Sequence, residues 1–156
     1  MTTTSKSNGA GPDPLPNATP QPMVAGRVDP GPISGADEPI LIVEDSEEIR
    51  MLLVDTLGQS GYSVVEAGNG QEAIQRYSQA EIPMRVVLLD LHLPDMSGWD
   101  VLAALRQLNP SASVLILSGS TTEDLTQKAK DSGAAGFVPK PFDRQFLLGS
   151  IRALPN

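Results

Sequence analysis

Four chemically capable side chains each stand at the end of a short apolar run. Asp45 follows Ile40-Leu41-Ile42-Val43-Glu44, and Asp90 follows Val86-Val87-Leu88-Leu89. Ser118 follows Val114-Leu115-Ile116-Leu117, and Lys140 follows Phe137-Val138-Pro139. Carboxylates serve as nucleophiles and as ligands for hard cations, while an amine and a hydroxyl donate to anionic oxygens. In an open parallel sheet the carboxyl ends of the strands share one rim, and the reactive crevice opens where strand order reverses. If each run is a strand, an acid pair (Glu44 and Asp45), a lone aspartate, a hydroxyl and an amine meet in one pocket.

The segments between these runs carry helical periodicity. Ile49, Leu52, Leu53, Thr56 and Leu57 mark one face of a first helix that ends near Gly58 to Gly61, and Tyr62 to Ala67 make the next strand. Ala73, Ile74 and Tyr77 mark a second helix begun at Asn69. Val101, Leu102, Leu105 and Leu108 mark a third. A fourth, from about 121 to 132, has only Leu125 and Ala129 as an apolar stripe, so it is expected to be the least firmly docked. After a strand at Gly136 to Val138, Phe146, Leu147, Ser150 and Ile151 line a fifth helix. Five strand–helix units predict an α/β doubly wound domain, because parallel strands need helical crossovers.

Composition narrows the function classes. The chain has 156 residues, 40% of them hydrophobic, and no cysteine, so disulfide frameworks and thiolate metal sites are excluded. Its formal net charge of −8, from 19 acids against 11 bases, argues against a reader of nucleic-acid phosphates. No stretch approaches the roughly 18 apolar residues of a membrane span, and the N-terminus lacks a signal-peptide core, so a cytoplasmic location is expected. Eight of the fourteen prolines fall at or before Pro39. Residues 1–38 are therefore expected to be a disordered Pro/Gly-rich tail or linker, and residues 39–156 the folded domain.

From residue 39 to about 154 the chain resembles the response regulator receiver domain of bacterial two-component signalling. The likeness rests on Glu44-Asp45, on Asp90 in Leu88-Leu89-Asp90-Leu91-His92-Leu93-Pro94-Asp95-Met96-Ser97-Gly98, on Ser118 before Gly119, on Phe137, and on Lys140-Pro141-Phe142. The resemblance implies a five-stranded flavodoxin-like parallel sheet of order 2-1-3-4-5 with five helices. It also implies a phospho-accepting switch. Asp90 would be the nucleophile that forms an aspartyl phosphate. Asp45 and Asp90 would ligate Mg²⁺ directly, Glu44 would do so through water, and the backbone carbonyl of His92 would complete the protein ligands. Lys140 and Ser118 would neutralise and hold the phosphoryl oxygens, as phosphoryl transfer requires. Ser118 and Phe137 would relay the signal, and the Lys140-Pro141 bond would be cis. The His92 side chain and Ser120 would tune how fast water reaches the phosphate.

The same resemblance implies that the phosphate comes from a partner histidine kinase, a histidine phosphotransfer protein or a small phosphodonor. Beyond self-catalysed phosphotransfer and dephosphorylation, no enzyme activity is expected. The fourth helix, fifth strand and fifth helix would contact a downstream protein. With no further domain after Asn156, a stand-alone receiver or one excised from a hybrid kinase is expected. Gly133-Ala134-Ala135-Gly136 lacks the charges that support dimers in winged-helix relatives.

Competing readings attach to each residue. Asp45 could cap the first helix with Glu48 three residues on, Asp90 and Ser118 could form turns, Lys140 could be a solvated charge, and Phe137 could be plain core. A haloacid-dehalogenase-like phosphatase would use a similar set but wants an acid where His92 stands. A receiver-like platform that is no longer phosphorylated is a third possibility. A flavodoxin-type cofactor binder is disfavoured, since Glu44-Asp45-Ser46-Glu47-Glu48 would repel a phosphate.

Overall fold

The structure, a computed structural model, describes residues 38–120 and 122–155, and the expectation for residues 1–37 lies outside them. Five strands form one parallel sheet in the order β2-β1-β3-β4-β5: β1 Ile40–Val43, β2 Val64–Ala67, β3 Val86–Asp90, β4 Val114–Ser118 and β5 Gly136–Pro139. Helices α1 Glu47–Gln59, α2 Gly70–Ser78, α3 Gly98–Leu108, α4 Glu123–Asp131 and α5 Arg144–Arg152 are the crossovers. This is the doubly wound flavodoxin-like fold.

The three central strands are buried at every position, which is why they read as unbroken apolar runs rather than alternations. Alternation reappears in what the side chains touch, because successive Cβ atoms point to opposite faces. Leu41, Val43, Val87, Leu89, Val114 and Ile116 join the cluster that also holds Ala73, Val101, Leu102, Leu105 and Ala129 of α2, α3 and α4. Ile40, Ile42, Val86, Leu88, Leu115 and Leu117 join the cluster with Leu53 and Leu57 of α1 and Leu147, Leu148 and Ile151 of α5. Each fully buried Val, Leu or Ile among them contributes about 1.5–3 kcal/mol.

The helical stripes differ from expectation at their edges. Leu52 is 54% exposed, Leu108 50% and Phe146 49%, while Leu148, absent from the expected stripe of α5, is buried. Ile49 and Ser150 are half-buried. A stripe read at i, i+3, i+4 is wider than the arc that faces a sheet, so its flanking members point past the contact. Tyr62 is buried but precedes β2, which starts at Val64. Gly61, at φ 92, makes the turn into it from α1. Helix α4 buries only Ala129, in line with its sparse stripe.

Register aligns the functional positions. Val43 pairs with Leu89, Asp90 with Leu117, and Ser118 with Pro139. Glu44, Asp90, Ser118 and Lys140 therefore end on one rim, with the order reversal between β1 and β3 beneath it.

Candidate functional site

Glu44, Asp45 and Asp90 each bring a carboxylate oxygen within 4.8 Å of the others. Glu44 and Asp90 are buried and Asp45 is exposed at the mouth. The Lys140 ammonium donates to Glu44 Oε1 at 2.8 Å and lies 3.4 Å from Asp90 Oδ1. Lys140 is thus no loose surface charge. Its main-chain N–H donates to the Ser118 carbonyl at 2.7 Å, and the following Lys140-Pro141 bond is cis.

The remaining donors are backbone groups. Ser46 N–H donates to Glu44 Oε2 at 3.1 Å, and His92 N–H donates to Asp90 Oδ1 at 3.2 Å. The cap of α1 is Ser46, whose hydroxyl accepts from Ile49 N–H, so Asp45 is not spent on capping. Burial pushes the Glu44 carboxyl above the usual carboxylate range, opposed by the hydrogen bonds from Lys140 and Ser46 N–H; nearby Asp90 reinforces the rise.

The trio repels itself. Two unit charges no more than 4.8 Å apart repel by at least roughly 3 kcal/mol at an effective dielectric near 20, before screening and relaxation. Lys140 partners Glu44 and Asp90, whereas no hydrogen bond to the Asp45 carboxylate is found among the described residues. Asp45→Asn is therefore expected to stabilise the chelator-treated protein by about 1 kcal/mol, as where function opposes stability. The check is the urea midpoint. An unchanged or lower midpoint would mean that Asp45 is not under like-charge strain.

Ser118 is buried, and its hydroxyl donates to the Ser120 carbonyl at 3.0 Å while accepting Ser120 N–H at 3.1 Å. These are the turn-forming bonds expected of a serine at a strand end. With exposed His92 and Ser120, Ser118 lines a cavity of about 670 Å³ beside the acidic pocket, walled by Trp99 and Leu125. The Lys128 ammonium sits 4.7 Å from the Trp99 ring centre and ties α4 to α3. Phe137 is half-buried and packs on the cluster under α2, α3 and α4.

Sequence reasoning missed three supports. Asp95 accepts from Gly70 N–H and Gln71 N–H, both at 2.8 Å, which locks the loop after β3 onto the start of α2. Those two bonds hold its carboxyl below the usual range. Gly98 lets α3 start against β3: a Cβ there would lie 2.6 Å from Leu91 Cα and 2.7 Å from the Asp90 carbonyl oxygen. Arg50 Nη1 donates to the Glu44 carbonyl at 2.8 Å. Of these only Gly98, following Pro94 in a loop, carried a local signal.

The family profile described as the response regulator receiver domain matches residues 40–152. The chemotaxis protein CheY of Thermotoga maritima is 34% identical over 113 residues, 72% of this chain and 92% of that protein. The transcriptional regulatory protein KdpE of Mycobacterium tuberculosis is 40% identical over 114 residues, 73% of this chain but only 49% of that protein. A chain of the CheX–CheY complex with BeF₃ and Mg²⁺ from Borrelia burgdorferi superposes with a TM-score of 0.70 at 28% identity, covering 73% of this chain and 86% of that one.

Proposed function

Because the chain belongs to the response regulator receiver domain family, a phospho-accepting switch of two-component signalling, we propose that Asp90 is the residue that takes the phosphoryl group. The observation that carries this reading is the convergence of Glu44, Asp45, Asp90 and Lys140 on one rim. Asp90 Oδ1 accepts His92 N–H at 3.2 Å and lies 3.4 Å from Lys140 Nζ, and with two oxygens the carboxylate can hold the cation through one and attack phosphorus with the other. A phosphorus–oxygen bond forms there as the bond from phosphorus to the donor breaks, and the donor group leaves with its electron pair and takes up a proton. Lys140 Nζ then pairs with a phosphoryl oxygen.

The donor set fits Mg²⁺. Three convergent carboxylates are the hard oxygen ligands that ion takes, and one of them already faces water. Asp45, Asp90 and the His92 carbonyl would hold it directly and Glu44 through water. When bound it neutralises charge on the pocket and on the phosphoryl oxygens. To donate to a phosphoryl oxygen the Ser118 hydroxyl must give up the bond it donates to the Ser120 carbonyl, and that exchange is the first step of readout. Phe137, on the neighbouring strand, turns into the space so released. The weakly anchored α4 responds, and phosphorylation shifts a pre-existing equilibrium by the usual 1–3 kcal/mol or so of coupling. His92 and Ser120 line the approach of water and set how long the phosphate lasts.

The donor is a histidine kinase, a histidine phosphotransfer protein or a small phosphodonor, and the output is contact with a protein through α4, β5 and α5. Exposed Phe146 on α5 and the shallow seating of α4 support that face. No helix among the described residues is long and apolar enough to cross a membrane, and the reading places the protein in the cytoplasm. It acts on itself rather than turning over a substrate. His92, exposed, stands where a phosphatase of the dehalogenase type would need its acid.

Beryllofluoride tests the reading directly. It is expected to perturb amide shifts around Asp90 and Ser118 only when Mg²⁺ is present, because a cation must offset the acidic pocket before an anion enters. Binding that persists in excess chelator would sink the metal site.

A further inference from the structure

Glu44 lies one residue beyond the end of β1, where the sheet ladder stops. Its N–H still pairs with β2, donating to the Ala67 carbonyl at 3.1 Å, but its carbonyl has run past the last strand pairing. The guanidinium of Arg50, one turn into α1, closes that gap. Nη1 donates to the Glu44 carbonyl at 2.8 Å while Nε donates to Glu66 Oε1 of β2 at 3.1 Å. The Arg50 side chain is 20% exposed, so this bridge is partly withdrawn from water.

The carbonyl that Arg50 grips belongs to the peptide unit joining Glu44 to Asp45. Glu44 has its own restraints, the bonds from Lys140 and Ser46 N–H. Asp45 has no such side-chain tether among the described residues, so the aim of its carboxylate into the pocket is set by its backbone. We propose that Arg50 is a positioning residue: by fixing the 44–45 peptide plane, with Glu66 as its anchor, it aims Asp45 at the cation. A planar fork suits this role because it reaches two acceptors at once, which a lysine ammonium does less well. The inference rests on the proposed Mg²⁺ site, and the experiment below separates the two.

Charge and position make opposite demands on Mg²⁺ affinity. Arg50 is a positive charge beside an acidic pocket, so deleting it would by electrostatics alone tighten cation binding. If its role is to aim Asp45, deletion weakens binding instead, by about tenfold, the usual effect of losing a group that orients a metal ligand. Calorimetric Mg²⁺ titration of the parent, Arg50→Met, Arg50→Lys and Glu66→Gln proteins decides. The expected order of dissociation constants is parent, then Glu66→Gln, then Arg50→Lys, then Arg50→Met as the weakest binder. The amide shift of Asp45 should move in Arg50→Met before any metal is added. Phosphorylation by a small phosphodonor should need more Mg²⁺ for half-saturation, yet approach the parent rate at saturating Mg²⁺. Arg50→Lys keeps the charge and guards against a misfolded Arg50→Met. Equal or tighter binding in both Arg50 variants, with the parent binding Mg²⁺ normally, overturns the positioning role alone. A parent that binds no Mg²⁺ overturns the metal site and this inference together.

Discussion

Asp90→Asn is expected to abolish the gain of a phosphoryl group from a small phosphodonor, read as intact mass, while leaving the fold intact. The asparagine oxygen can still accept His92 N–H, and Lys140 keeps its shorter bond, the one to Glu44 at 2.8 Å. The shape at the end of β3 is preserved, and one of three mutually repelling carboxylates is gone, so unfolding in urea should shift little or toward greater stability. What is lost is the charged oxygen that attacks phosphorus, and an amide does not replace it. Lys140 and the acid pair remain, so a surviving mass gain in Asp90→Asn would put the nucleophile elsewhere in the pocket, with Asp45 the first place to look. The outcome separates a switch from a mere binding platform, because a platform would show no mass gain in the parent either.

Gly98→Ala is expected to destabilise the domain by about 2–3 kcal/mol, at the upper end of the usual range for overpacking, although it adds a single methyl group. The new Cβ would stand 2.6 Å from Leu91 Cα and 2.7 Å from the Asp90 carbonyl oxygen, and both obstacles are backbone, which cannot swing aside like a side chain. Relief requires α3 to retreat from β3. That retreat strains the bond from Gly98 N–H to the Leu91 carbonyl, 3.0 Å long, and drags the loop that carries His92. Phosphate acceptance should therefore fall together with stability. Gly149→Ala is the control: it lies in α5 with nothing within 4 Å of the added carbon, and an exposed helical alanine should gain about 0.5–1 kcal/mol. Similar urea midpoints for the two variants would mean that α3 does not abut β3 as closely as the structure has it.

What the amino-acid order determines by itself is periodicity and residue chemistry. Unbroken apolar runs ending at Glu44, Asp90 and Ser118 dictate buried parallel strands, and with the shorter edge run before Lys140 they dictate one reactive rim, because strand direction brings every such end to the same side. The α/β class, the meeting of Glu44, Asp45, Asp90 and Lys140 and the thin stripe of α4 were legible in that order, whereas Ser118, expected in the same pocket, lines the cavity beside it. Tertiary structure decided whatever depends on a partner distant in the chain or on the angle at which an element lies. Asp45 and Ser46 are both capping types, and only the path of the chain out of β1 gives the cap to Ser46 and leaves Asp45 facing the pocket. Asp95 finds its two N–H donors 24 and 25 residues back, and no local pattern encodes that meeting. The burial of Leu148 in place of Phe146 follows from how α5 is rotated against the sheet, a matter of packing among Leu117, Val138 and Leu147 rather than of spacing along the helix. Arg50 looks like one more solvated helical charge until the sheet register puts Glu66 and the Glu44 carbonyl within reach of one guanidinium.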